Sequence, residues 1–141
     1  MKNNMKVTFS AQNCNVVFAR TVAMGFLVNL KIEVNVLNEI KTAISEAVTN
    51  AIVHGYSNNA KELVEMEMYY DNEIIKIIIR DYGVGIEDVE KAKEPLFTTK
   101  ETEDRAGLGF TIMEVFMDEL KVSSVFGKKT EVEMIKKYHE S

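Results

Sequence analysis

Residues 45–56 read Ser45-Glu46-Ala47-Val48-Thr49-Asn50-Ala51-Ile52-Val53-His54-Gly55-Tyr56. Apolar residues upstream, Leu37, Ile40 and Ile44, continue through Ala47, Val48 and Ala51 at helical spacing. The spacing predicts a helix over residues 36–54 with one buried face, and Gly55 is a natural stop for it. Glu46, Asn50 and His54 are four apart and lie nearly above one another on the other side. On its own such a stripe is what most solvated helix faces carry. Its chemistry is more particular. The amide oxygen of Asn50 suits magnesium, which takes one or two oxygens from protein and the rest from phosphate and water. A carboxylate one turn earlier, Glu46, is placed to accept a proton from an attacking hydroxyl.

Outward from this helix, residues 63–70 and 73–80 alternate as two strands joined by a short hairpin at Asp71-Asn72. The run Ile74, Ile75, Ile77, Ile78 and Ile79 predicts a central strand, covered on both faces or by a partner. Towards the N-terminus a strand is predicted over residues 5–10 and a helix over 15–30. Towards the C-terminus a short helix is predicted over 88–93, then a helix over 107–120. A closing hairpin follows, with strands at 121–126 and 130–137. A sheet with helices packed on it makes an α/β, two-layer sandwich in one domain spanning residues 1–141.

Two glycine-punctuated loops interrupt these elements. Asp81-Tyr82-Gly83-Val84-Gly85-Ile86 follows an apolar strand. A carboxylate there accepts a hydrogen bond from the exocyclic amine of adenine and repels the oxygen that guanine carries in its place. Gly83 and Gly85 allow close backbone approach to a flat ring and positive φ. The second loop, Arg105-Ala106-Gly107-Leu108-Gly109-Phe110, leads into a helix. Free N–H groups at a helix start face phosphate oxygens, and the helix dipole favours their charge. Lys100 and Arg105 add charge-assisted contacts. Each loop taken alone is also what an ordinary turn provides.

Composition narrows the classes. The formal charge of -5 and the lack of a basic patch argue against a nucleic-acid partner. A single cysteine, Cys14, excludes an internal disulfide and reads as a small apolar residue near a helix start. No apolar run is long enough to span a bilayer and no leader is visible, so a soluble cytoplasmic protein without membrane contact is expected. The methionines, Met113 and Met117 among them, read as core filler.

The order and separation of the blocks add what no block carries alone. Helical Glu-x-x-x-Asn-x-x-x-His-Gly, then strand-Asp-x-Gly-x-Gly, then Gly-x-Gly-helix resembles the ATP site of the GHKL superfamily, the histidine kinase-like ATPases, over residues 39–137. Residues 45–56, together with Pro95-Leu96-Phe97-Thr98-Thr99-Lys100 and Gly109-Phe110-Thr111-Ile112-Met113-Glu114, resemble the anti-sigma F factor family. The resemblance implies the Bergerat fold, a mixed and mostly antiparallel sheet with helices on one face. It implies Mg2+ and ATP, with Glu46 as general base and Asn50 as metal ligand in a cofactor site that includes His54. It places Asp81 on adenine with Gly83 and Gly85 nearby, supported by Thr130. It implies a lid over residues 95–106, with Thr98, Thr99, Lys100 and Arg105 near the phosphates and Gly107, Leu108 and Gly109 binding them. Arg20 would belong to a partner-docking face.

The family also implies partners and an activity: sequestration of a sporulation sigma factor, phosphorylation of a serine on an anti-anti-sigma protein, and a homodimer. The departures are Tyr82 after Asp81, and Lys128-Lys129-Thr130 where Lys-Gly-Thr is more usual. Two other functions use the same pocket: a nucleotide-dependent sigma-binding module without kinase turnover, and an ATPase module of the motor or chaperone kind.

Overall fold

The computed structural model describes residues 1–94 and 109–139. Five strands form one sheet: β1 (Asn3–Ser10), β2 (Leu63–Tyr70), β3 (Ile74–Asp81), β4 (Glu119–Val125) and β5 (Lys129–Lys137), in the order β1-β2-β3-β5-β4. All four pairings among the described residues are antiparallel, in keeping with the mostly antiparallel sheet that the resemblance implied. β3 is central, and β1 and β4 are the edges.

Helices α1 (Asn15–Phe26), α2 (Val34–Asn50), the single turn α3 (Val89–Ala92) and α4 (Gly109–Phe116) complete the described residues. α2 packs against both α1 and α4. Its buried face, Ile40, Ala43, Ile44, Ala47 and Val48, meets the sheet-side core of Val64, Met66, Met68, Ile75, Ile77 and Met134. Burying aliphatic side chains of this size stabilises by about 1.5–3 kcal/mol each. Met113 and Met117 are part of that core, as expected. Lys136 Nζ donates to the Phe116 carbonyl and to Glu39 Oε1. A cation at the last turn of α4 complements the helix dipole and ties that helix to β5 and α2.

Four details differ from expectation, each for a tertiary reason. The isoleucine run is not covered on both faces: Ile75, Ile77 and Ile79 are buried, while Ile74 and Ile78 are half-buried on the other face. There Ile78 pairs with Glu67 and Glu133 in neighbouring strands. Cys14, read as a small apolar residue near a helix start, does stand at the N-cap position of α1 but is exposed there. α1 ends at Phe26 and α4 at Phe116, both short of the predicted ends. Finally, the predicted second helix does not run α-helically to His54. It widens into a π turn over Ala51–Gly55, with Tyr56 N–H reaching the Ala51 carbonyl. Ser57 and Asn58 then take left-handed φ of 51° and 62° and end it.

Candidate functional site

A cavity of about 1040 Å³ opens where α2, the π turn, the loop after β3 and the start of α4 converge. Six of the residues singled out from the sequence line it: Asn50, His54, Asp81, Gly85, Gly109 and Thr130. Thr98, Thr99, Lys100, Arg105, Gly107 and Leu108, with the lid over residues 95–106, lie outside the described residues.

Among the described residues three polar side chains are buried, Glu46, Asp81 and Thr130, at 5, 4 and 7% exposure. Burying a carboxylate costs free energy unless something is gained by it. All three belong to the set singled out from the sequence. Asp81 ends β3 and faces Thr130 directly across the β3–β5 pairing. Its Oδ1 accepts the Gly83 N–H at 3.0 Å. Burial pushes its pKa up to about 6, against the opposing pull of that N–H. Near neutral pH it is still mostly ionised, an acceptor held buried in the cavity wall.

The glycines divide by role. Gly85 has φ of 73°, a left-handed conformation that glycine alone adopts without strain, and a Cβ there would lie 2.5 Å from the Val125 carbonyl oxygen. Gly83 does not have positive φ and is absent from the cavity wall, contrary to the sequence reading. It is small because a Cβ would fall 1.9 Å from the Gly55 carbonyl oxygen. Gly55 in turn is pressed against Asp81, where a Cβ would lie 2.6 Å from the carboxyl. It is therefore less a helix stop than a site of close approach.

The remaining contacts fix this loop from two sides. Tyr56 hydroxyl accepts from Tyr82 N–H at 2.7 Å and donates to the Leu63 carbonyl at 2.8 Å, while Val84 N–H donates to the Gly55 carbonyl. From the β4–β5 side, Ser124 Oγ accepts from Ile86 N–H at 2.7 Å and lies 3.2 Å from the Thr130 hydroxyl. The sequence reading missed Tyr56 and Ser124 as supports. Tyr56 lies within the opening block, but nothing local pointed its hydroxyl at Tyr82. Ser124 had no signal beyond the alternation of β4. Lys129 stands where the resemblance has glycine, and the local backbone is accommodated next to it. The turn takes its left-handed residue from Gly127, φ 81°, and Thr130 keeps its place opposite Asp81.

At the other end of the cavity, Gly109 begins α4 against the Asn50 carboxamide. A Cβ on Gly109 would lie 3.1 Å from Asn50 Nδ2 and 3.3 Å from Oδ1. The Asn50 carboxamide is thus set beside the first described residue of α4, and its oxygen is of the hard kind that magnesium takes. Among the described residues no group of three His, Cys, Asp or Glu could hold a metal. Glu46 lies one turn before Asn50, buried, and is not part of the cavity wall. His54 lines the cavity, but π winding takes it off the straight four-residue stripe. Arg20 Nη1 donates to Ser45 Oγ at 3.1 Å, which ties α1 to α2.

No helix among the described residues is long and apolar enough to cross a membrane. Residues 9–136 match the family described as the histidine kinase-like ATPase domain. The chain is 46% identical over 140 residues to an anti-sigma F factor of Geobacillus stearothermophilus, covering 99% of this chain and 96% of that one. It is 48% identical over 124 residues to that of Bacillus licheniformis, covering 88% of this chain and 85% of that one. Among solved structures, the RsbU and RsbW domains of a Mycobacterium tuberculosis protein superpose with a TM-score of 0.68 at 16% identity. That match covers 99% of this chain and 33% of the longer one. The mycobacterial sensor histidine kinase MprB superposes with a TM-score of 0.61 at 14% identity, over the whole of both chains. At such identities the superpositions speak for the fold, and the sequence matches for the family. The chain belongs to the histidine kinase-like ATPase domain family and, within it, to the anti-sigma F factors.

Proposed function

We propose that this chain binds ATP with magnesium, holds a sporulation sigma factor inactive, and phosphorylates a serine of an anti-anti-sigma protein. It does so as one ATPase domain over residues 1–141, as a cytoplasmic homodimer. The observation that carries the reading is the placement of the Asn50 carboxamide against Gly109 at the start of α4, in a cavity whose far wall holds Asp81 opposite Thr130. The printed name of the relatives, anti-sigma F factor, supports the sigma-factor partner.

In this reading Asp81 accepts from the exocyclic amine of adenine. The N-terminus of α4 receives the phosphates, with Gly107, Leu108, Lys100 and Arg105 completing the phosphate contacts. Asn50 holds magnesium, which when bound neutralises charge on the terminal phosphates. The acceptor serine oxygen bonds to the γ-phosphorus as the bond to the β–γ bridging oxygen breaks and ADP leaves. Glu46 takes the serine proton, directly or through one water. Such a base contributes about 10²–10⁴-fold. Glu46→Gln is therefore expected to bind ATP within about threefold of the wild type while losing transfer by that factor. The assay uses γ-labelled ATP with a candidate acceptor and a candidate sigma factor present in turn. Full transfer by the variant would reject Glu46 as base.

One observation favours a second reading, a sigma-binding module in which nucleotide sets shape and no phosphoryl group moves. Glu46 is buried and stands off the cavity wall. Retention of the sigma factor with no labelled acceptor would select it.

A further inference from the structure

Phe126 has no structural explanation in the fold. It is 65% exposed, on the β4–β5 turn, where polar residues are the rule. Its neighbours Val84 and Val125 are also exposed, and both Phe126 and Val84 line the cavity. The position is rigidly held. Gly127 N–H donates to the Val84 carbonyl, and Lys128 N–H donates to the Val125 carbonyl at 2.9 Å. The Phe126 Cα packs against Gly85, 2.9 Å from where a Cβ there would stand. The loop that carries Asp81 and the turn that carries Phe126 therefore move as one unit. An aromatic ring left in water, on a stapled backbone, at the end of the cavity that holds Asp81 and Thr130, is arranged to be covered when the cavity fills.

We propose that Phe126 is a nucleoside-contacting residue of this site, its ring closing the base end of the cavity against the adenine of a bound nucleotide. The inference rests on the nucleotide reading above and adds to it a residue that sets base affinity. Flat rings suit this because every base has a π face and aromatic side chains lose little freedom on contact.

Binding of ADP and of inorganic tripolyphosphate, which has no base, is measured by calorimetry for wild type, Phe126→Ala, Phe126→Leu and Phe126→Trp. Phe126→Ala should weaken ADP about tenfold and leave tripolyphosphate unchanged. Phe126→Leu should fall between. Phe126→Trp should bind ADP as well as the wild type does. Because the chain has no other tryptophan, its fluorescence should change with ADP and not with tripolyphosphate. ADP binding by Phe126→Ala at wild-type affinity would overturn the proposal while leaving the nucleotide reading intact. So would an equal loss for both ligands, which would mark the turn as merely structural. Failure of the wild type to bind ADP at all would sink both.

Discussion

Arg80 and Asp81 are consecutive on β3 and point to opposite faces of the sheet, and their charges are treated in opposite ways. Arg80 is met by three carboxylates: Glu65 and Glu67 each at 2.9 Å and Glu131 at 3.1 Å. Burial alone would lower its pKa, but the hydrogen bonds to Glu131, Glu65 and Glu67 outweigh it and raise it. The charge is locked into the strands on either side and offers nothing to a ligand. Asp81 is more deeply buried and receives the single N–H of Gly83, so burial dominates and its pKa rises. A compensated charge serves as scaffold. An under-compensated one stores a cost that a ligand donating a hydrogen bond can relieve.

The strongest way to break this comparison is to neutralise the costly charge. Asp81→Asn is expected to lose ADP binding by at least about 100-fold, since the amide turns a donor toward the adenine amine. The same change should stabilise the unliganded protein by roughly 3 kcal/mol above pH 6. The sign follows from the raised pKa. Between about 4 and 6 the folded protein holds more protons at this site than the unfolded chain, so stability falls as pH rises through that window. Denaturant titrations of both proteins at pH 4 and pH 8 check this; a variant less stable at pH 8 would show that Asp81 is a structural acceptor.

The wild type offers a gentler test. If the ionised Asp81 receives the base, ADP affinity should weaken about tenfold between pH 7 and pH 5 relative to tripolyphosphate. A pH-independent ratio would remove the carboxylate from base recognition.

Gly83→Ala sharpens the contrast between the loop that carries Asp81 and the strands around Arg80. Its methyl group cannot coexist with the Gly55 carbonyl, and overpacking of this kind costs about 1–3 kcal/mol. Thermal denaturation should show that loss together with weaker ADP binding, because the loop cannot move without Asp81's partner moving.

The smallest effect on the site should come from Arg80→Met. Partly buried ion pairs at a sheet surface contribute modestly each, so the loss is expected at about 1–2 kcal/mol, with ADP affinity within twofold. Glu65 is held below the usual carboxylate range: its own burial would raise it, and hydrogen bonds from Arg80 and Tyr82 more than offset that. Its contribution is present above its unfolded pKa and is lost as pH falls through the folded one. The penalty of Arg80→Met should therefore shrink in acid, as measured by denaturant titration at pH 3 and pH 7. A large loss of ADP affinity would erase the distinction between the two faces.

Local pattern carried much of this protein. The helical period through Ile40, Ile44, Ala47 and Val48, the alternation of Leu63–Tyr70, and the order of Glu46, Asn50, Asp81 and Gly109 were legible from residues alone. Spacing along a few turns or one strand sufficed for a sheet with helices packed on it, whereas the fold family and the nucleotide site were read from the resemblance of the ordered blocks to a known family. Other features required the folded chain. That Gly55 and Gly83 are small for each other and for Asp81, and that Glu46 is buried off the cavity wall, depends on surfaces meeting across 25 or more residues. So does the insertion of β5 between β3 and β4, which sets Thr130 opposite Asp81. Periodicity reports which face a residue takes; only tertiary packing decides how close two backbones come and which buried charge is left short of partners.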